Sequence, residues 1–367
     1  MAVSKRTLRI RPSGMAPTVA CPGSLMMQEK YPRVDSSNGD EGTLVHAIGA
    51  DLLRGNGLLV PEGTYITDEM RVYAKYYADY VTSIAPIRDI RVEENIRLEA
   101  IHPDLCSGIP DATYFNADNH VLHIFDFKYG YGLVEAYENW QCLAYASGIL
   151  GIEEHLKGKL DIYIHIVQPR AYHPLGPVRK WHLTLEQLKT YAGIMRVKVE
   201  EALSPNPLGF PGRQCKYCTA RHVCDLLLSS TNHLMDTVEQ VTPLDLTDYQ
   251  VGKELSLLKK AKLLLDARIT GLEAQVEQGA KRGKLYSGWT LEPGRGKVIW
   301  TKPKEEVFAL GTLLGIGLQK DAEPITPNQA KDKGLNPDIL NTFTRRIPGA
   351  LKLKEIDINY GKQLFGD

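Results

Sequence analysis

The chain has 367 residues, 43% of them hydrophobic and 24% charged, an ordinary globular balance in a length that suits two domains. Formal net charge is zero, which argues against a uniformly basic coat for nucleic acid or membrane but leaves room for a local basic channel. No apolar run approaches the roughly eighteen residues of a membrane span, and the basic start MAVSKRTLRIRPSG lacks the apolar stretch of a signal peptide. Six cysteines without such a signal read as reduced thiols or metal ligands, and the expected compartment is the cytoplasm.

Residues 41–54 (EGTLVHAIGADLLR) predict a helix with Thr43 at its N-cap. A second helix, 67–85, opens on Thr67 and two acids. Three consecutive strands are expected over 90–99, 107–116 and 120–128, rich in β-branched and aromatic residues and split by turn residues. An amphipathic helix over 134–150 and a strand over 161–169, ended by Pro169, come next. A proline-rich loop, a short strand around Trp181 and a helix over 184–202 complete the pattern. This order predicts an α/β fold with a mixed central sheet flanked by helices.

The stretch SPNPLGFPGRQCKYC (204–218) ends the first domain, expected over 1–228. The second region, 240–367, repeats apolar residues at helical spacing: Val251, Leu255, Leu258, Leu265, Ile269, Leu272 and Val276, with Lys262 interrupting the seam. That predicts a helical hairpin or a long packed helix, followed by a β-hairpin over 285–301 turning at Pro293–Gly296. Residues 251–304 hold twelve Lys and Arg against five Asp and Glu, which suits either phosphate contact or a solvated helix face. Tyr286, Trp289 and Trp300 suit base stacking or cross-strand packing.

The strand LHIFDFKYG (122–130) sets the chemical question. Residues two apart share a strand face, so Asp126 and Lys128 project together while Phe125 and Phe127 face the other way. Asp111, in SGIPDATYF on the preceding strand, can converge on Asp126. Two carboxylates brought together repel and are costly to bury unpaired. A divalent cation relieves both problems, and oxygen ligands suit Mg²⁺ or Mn²⁺. A lysine beside them can orient a water or offset charge on a phosphate oxygen. The plain alternative is a solvated surface pair worth under about 1 kcal/mol.

Gly108-x-x-Asp111 followed by Asp126-Phe127-Lys128 resembles the PD-(D/E)XK nuclease core, whose fold is restriction-endonuclease-like. Gln141 and Tyr145 (QCLAY) on the next helix, and His46 in EGTLVH upstream, resemble the RecB-like branch. The resemblance implies that His46, Asp111, Asp126 and the Phe127 carbonyl hold the metal. It further implies that Lys128 serves the attacking water, that Gln141 steadies the site, and that Tyr145 faces the site or the DNA backbone. Glu93 or Glu94 is a further acidic candidate.

Residues 215–224 read CKYCTARHVC, and Cys21 lies far upstream in ACPGS. Three clustered thiolates plus one distant thiolate suit an iron–sulfur cluster or zinc, with His222 an alternative zinc ligand to Cys21. One cysteine before the nuclease core and three after it resembles the iron–sulfur staple of RecB-like nucleases of the AddB type and of CRISPR adaptation exonucleases. That likeness implies a 4Fe–4S cluster on Cys21, Cys215, Cys218 and Cys224. Cys106 and Cys142 read as buried small hydrophobes.

ACPGS, EGTLVHA, DFKYGYG, ENWQCLAYASGIL, IVQPR and the cysteine set together resemble an uncharacterised phage and prophage family related to these nucleases, over roughly residues 13–302. The tryptophan expected before the first cysteine of that family is missing here. The resemblance implies an Mg/Mn-dependent deoxyribonuclease, in exonuclease form, working in phage DNA replication or recombination in the cytoplasm of an infected or prophage-bearing bacterium. It implies DNA as partner, with a recombinase, a single-strand binding protein or a helicase as protein partners. No G-x-x-x-x-G-K-[ST] occurs, so ATP-driven movement belongs to another chain. The rival expectations are a non-catalytic DNA-binding or recombination scaffold that keeps the fold, and a zinc-stapled adaptor.

Overall fold

A computed structural model of the chain describes residues 10–32, 38–55, 66–103, 107–151, 159–238, 246–293, 297–320, 323–347 and 351–355. The chain divides into two compact units, Met1–Arg268 and Ile269–Asp367, with the boundary inside a long helix, Asp248–Lys281.

The first unit opens with helices α1 (Met15–Ala20), α2 (Ser24–Lys30), α3 (Asn38–Arg54) and α4 (Asp68–Thr82). α4 starts as expected, with the Thr67 hydroxyl accepting from the Met70 N–H and Asp68 and Glu69 in the first turn. α3 starts earlier than expected, so Thr43 lies inside it rather than at its cap. Extending a nucleated helix is far easier than starting one, and residues 38–42 join the turn that follows.

A five-stranded sheet follows: β1 (Arg91–Val92), β2 (Ala112–Asn116), β3 (Val121–Phe127), then across helix α5 (Trp140–Leu150) to β4 (Asp161–Val167) and β5 (Val178–Thr184). The strands lie in chain order. β3 and β4 are parallel and every other neighbouring pair is antiparallel, because only α5 carries the chain back between them. The mixed α/β architecture is the expected one. Several boundaries differ: β2 starts at Ala112 rather than at 107, β4 ends at Val167 rather than at 169, and two shifts have a visible cause. Glu93 sits at φ 51°, which stops β1 after two residues, and the rest of the expected 90–99 strand keeps one bridge, Ile96 to Gly108. Glu138 at φ 50° breaks the helical path before Asn139, whose side chain caps α5 through the Cys142 N–H. The helix therefore begins at Trp140 rather than at 134.

Strand alternation builds two cores. Leu122, Ile124, Ile162, Ile164 and Ile166 pack towards α1, α5 and α6 (Leu185–Leu203). Phe125, Phe127, Ala112 and Val167 pack towards α3 and α4. α6 opens on a capping box of Thr184 and Gln187. Helices α7 (Asp225–Val238) and α8 (Asp248–Lys281) follow. The seam expected on α8 is not the buried one. Ala261, Leu264 and Ala267 pack with Leu227 and Cys215, while Val251, Leu255, Leu258, Ile269 and Leu272 are exposed. Small alanines let the helix lie close to the cysteine loop, where Arg268 donates to the carbonyls of Arg221 and His222.

On the α4 side of the sheet, the Tyr80 hydroxyl, His165 and His123 form a hydrogen-bonded row with spacings of 2.8 and 3.0 Å. Burial, with the charges of His123 and Lys180, pulls His165 down to about 3, and burial with Lys180 pulls His123 down to about 4. Both lie below the unfolded value of 6.5, so the unfolded chain binds the extra protons. Stability is therefore complete above pH 6.5 and falls as pH drops from there towards 3–4. By pH 4.5 the loss from His165 reaches roughly 2 kcal/mol. Urea unfolding from pH 7.5 to 4.5 reads this slope, and His165→Gln makes it shallower.

The second unit is built on a non-local ribbon. β6 (Trp289–Pro293) and β7 (Lys297–Trp300) are followed by α9 (Lys304–Leu314), the small hairpin of β8 (Gln319–Lys320) with β9 (Glu323–Pro324), α10 (Pro327–Asp332) and α11 (Pro337–Phe343). β10 (Thr344–Ile347) then pairs with β7, and β11 (Leu351–Glu355) pairs with β6, both antiparallel and in one register. The local hairpin expected over 285–301 is thus replaced by pairing with a distant segment. Trp300 donates its indole N–H to the Ile325 carbonyl at 2.8 Å and packs beside Val307, Leu318 and Leu340. That ring is partly buried against the core of the second unit. Tyr286 lies over Gly279 of α8.

Candidate active site

The carboxyl end of β3 gathers residues from both faces of the sheet. Ala112 pairs with Phe125, which sets Asp111 opposite Asp126 on adjoining strands. The alternation works as expected: Phe125 and Phe127 join the α3–α4 core, with Phe127 stacked on Tyr77 at 4.7 Å between centroids. Asp126 turns to the other face and is 3% exposed.

Lys128 Nζ lies 3.0 Å from Oδ1 and 2.8 Å from Oδ2 of Asp126. The same ammonium reaches Gln141 Oε1 on α5 at 3.5 Å. Gln141 Nε2 donates to the Tyr145 hydroxyl at 3.2 Å, and Tyr145 donates to the Ile109 carbonyl at 3.0 Å, two residues before Asp111. From the opposite side, His46 Nδ1 on α3 lies 2.9 Å from Asp111 Oδ1, and Asp111 Oδ2 accepts from the Phe127 N–H at 2.7 Å. His46, Asp111, Asp126, Phe127, Lys128, Gln141 and Tyr145 therefore meet at one place. Glu93 and Glu94 do not join them; they pair with Arg54 and Arg91.

Burial raises the Asp126 carboxyl above its ordinary range; Lys128 opposes this and the nearby Asp111 charge adds to it. A bare ion pair would lower the acid, so the rise belongs to burial and to the second carboxylate. Lys128 is pushed the same way for a different reason: burial works against its charge, and the Asp126 carboxylate overcomes burial. Lys128 is the more accessible partner and keeps its proton at neutral pH. His46 is likewise raised, with burial outweighed by the hydrogen bond and charge of Asp111. Burial takes Tyr145 up to about 12, so it remains a hydroxyl donor.

Asp126 Oδ2 is buried, and although close to Lys128 it makes no hydrogen bond of acceptable angle. Two facing carboxylates and an imidazole are hard oxygen and nitrogen donors of the kind that fits a small divalent cation. Among the described residues no three His, Cys, Asp or Glu groups stand ready-made as a metal cluster. Each carboxylate is turned to an internal partner, Asp111 to His46 and the Phe127 amide, Asp126 to Lys128.

Gly108 explains why Asp111 follows a glycine. A Cβ there would lie 2.3 Å from Pro12 Cγ and 2.8 Å from Tyr145 Cε1. Only glycine lets the strand approach Tyr145 closely enough for that hydroxyl to reach Ile109.

Three positioning groups escaped the sequence reading. Gln168 is fully buried; its Nε2 donates to the carbonyls of Gly130 and Gly132 at 2.7 and 2.8 Å, and its Oε1 accepts from the Val134 N–H at 3.2 Å. Arg179 donates to the same Oε1 and to the Val134 carbonyl. Arg170 lies over the rings of Tyr129 and Tyr131 and pairs with Glu41 and Glu69 at 3.3 Å each. The signal for Gln168 and Arg170 was the phrase IVQPR, whose role only the fold reveals; Arg179 carried none.

The cysteines form a second cluster. Cys21 follows α1, and its Sγ accepts from the Phe210 N–H at 3.3 Å; Cys215 Sγ accepts from the Gly212 N–H at 3.3 Å. Burial raises the thiols of Cys21, Cys215 and Cys218; backbone N–H groups oppose this, and the neighbouring cysteines, Cys224 among them, raise it further. None of the described cysteines forms a disulfide. The chemistry of four neighbouring thiols with N–H···S contacts suits a thiolate-held metal centre, although among the described residues they, like the β3 groups, do not stand as a ready-made metal-holding group. His222 turns its Nδ1 to the Thr219 carbonyl at 3.1 Å and packs edge-on against Tyr31. Cys142 is fully buried on α5, as expected of a small hydrophobe, and Cys106 lies outside the described residues.

The family model described as Protein of unknown function (DUF2800) matches residues 9–321. The chain belongs to the DUF2800 family. The match takes in both the β3 site and the cysteine cluster of this DUF2800 protein. No curated protein matches the chain. Among its described residues no helix is long and apolar enough to cross a membrane.

Proposed function

We propose that the chain is a metal-dependent deoxyribonuclease that hydrolyses phosphodiester bonds at DNA ends. The observation that carries this reading is the polar chain from His46 through Asp111 and Asp126 to Lys128, Gln141 and Tyr145, built around a buried carboxylate oxygen without a hydrogen bond. His46, Asp111, Asp126 and the Phe127 carbonyl would hold Mg²⁺ or Mn²⁺. Such a cation, when bound, lowers the pKa of a water and offsets charge on a phosphate oxygen.

The protein's own groups do the rest. The Phe127 amide fixes the Asp111 carboxylate. Lys128, held by Asp126 and Gln141, presents a charged N–H donor to orient a water or meet a developing oxyanion. Tyr145 locks Gln141 to the backbone that leads into Asp111. The second centre would be a 4Fe–4S cluster on Cys21, Cys215, Cys218 and Cys224, with zinc the alternative, tying the start of the first unit to its end.

End-labelled linear and circular DNA incubated with the full chain and Mg²⁺, Mn²⁺ or chelator tests the reading. Linear DNA is shortened with metal and left intact with chelator. A non-catalytic DNA-binding scaffold is the rival, favoured by the lack of a ready-made ligand trio among the described residues. It predicts DNA binding that survives Asp126→Ala, with no cleavage under any metal.

A further inference from the structure

The loop leaving β3 presents Tyr131, 67% exposed, only three residues beyond Lys128. Single exposed aromatics are common and by themselves mean little. This one is held at three points. Gln168 accepts no freedom in the backbone on either side of it, since it bonds the carbonyls of both Gly130 and Gly132 from a fully buried position. The Arg170 guanidinium lies 4.5 Å from its ring centroid and 4.2 Å from that of Tyr129. In the loop that carries Arg170, His173 pairs with Glu135 at 3.3 Å, joining it to the loop that leaves β3.

The charge of Arg170 is already matched by Glu41 and Glu69. The platform therefore does not select a phosphate. What it offers is a fixed, exposed ring with a cation against it, three residues along the chain from Lys128. A flat, uncharged, polarisable group fits that ring, and every nucleobase is one. Bases in a duplex have both faces stacked; only an unpaired strand can supply a free one.

We propose that Tyr131 is a stacking platform for a nucleobase and that single-stranded DNA is the substrate class of the β3 site. Arg170 and Gln168 are positioning residues that hold the ring. The inference rests on the nuclease reading for its reaction, but its test reads binding alone.

A fluorescein-labelled single strand of about 20 nucleotides, longer than the ~4–16 that one site covers, and its blunt duplex are titrated with the full chain in chelator. The parent binds the single strand more tightly than the duplex. Tyr131→Ala weakens single-strand binding by about 10-fold, the scale of one lost base stack, and Tyr131→Phe keeps it within about twofold. Thermal melting of both variants matches the parent, because the ring is exposed. Single-strand binding unchanged in Tyr131→Ala, duplex bound as tightly as the single strand, or no single-strand binding at all overturns the proposal. Tyr131-dependent binding in a chain that cleaves nothing with Mn²⁺ supports the platform and sinks the nuclease reading.

Discussion

Asp126→Asn lowers metal-dependent cleavage of linear DNA by about 10³-fold or more, and Lys128→Ala does the same. The two act as a unit: Asp126 is the buried carboxylate whose Oδ2 lacks a hydrogen bond, and Lys128 is the cation it holds in place. Asparagine keeps the size and one acceptor oxygen, so the loss reads charge rather than a cavity. Lys128 is a quarter exposed and can reach water once its partner is gone, which keeps the stability cost of the Asp126 change to about 1–3 kcal/mol. Melting curves separate that cost from the catalytic loss. Tyr145→Phe removes the hydroxyl that accepts from Gln141 and donates to Ile109, and is expected to lower the rate by about 10-fold, leaving metal dependence intact. Unchanged cleavage in either Asp111→Ala or Lys128→Ala would falsify the enzymatic reading.

The convergence of Asp111, Asp126 and Lys128 follows from strand order and alternation, whereas His46 is expected there only from the resemblance to RecB-like nucleases. Phe125 and Phe127 had to face one core, so Asp126 and Lys128 had to face away from it. What was not legible depends on distant partners. Nothing within 285–301 announces that its strands pair with 344–355 rather than with each other. The seam on α8 was misjudged because leucines dominate a pattern, whereas alanines decide how closely a helix can approach. The roles of Gln168 and Arg170 depend on which carbonyls and rings the fold delivers to them, and a glutamine or arginine near a strand end has no periodicity to read.

Cys21→Ser is expected to strip the metal from the thiol cluster and to lower the melting temperature by about 10 °C. Anaerobically purified protein should be brown, with iron and sulfide in equal amounts; a colourless protein with one zinc selects the alternative. The size of the effect follows from chain connectivity. The Cys21–Phe210 contact already joins residues 189 apart, and fixing so long a loop through a metal removes several kcal/mol of unfolded-state freedom. Gly209 supports the closeness, since a Cβ there would strike Leu226 Cδ1 at 2.3 Å and approach Cys21 Sγ at 3.9 Å. Metal content and melting temperature both unchanged in Cys21→Ser would remove the staple.

The ribbon of the second unit has a consequence for synthesis on the ribosome. Strands β6 and β7 emerge while β10 and β11 are still untranslated, and among the described residues their nearer pairing is limited to the single bridge of Trp289 to Tyr286. Through that interval they are open edges carrying Trp289, Leu291, Val298 and Ile299, the kind of surface that recruits other nascent chains. A stop codon placed before residue 344 would make the interval permanent, turning a transient exposure into an aggregating product.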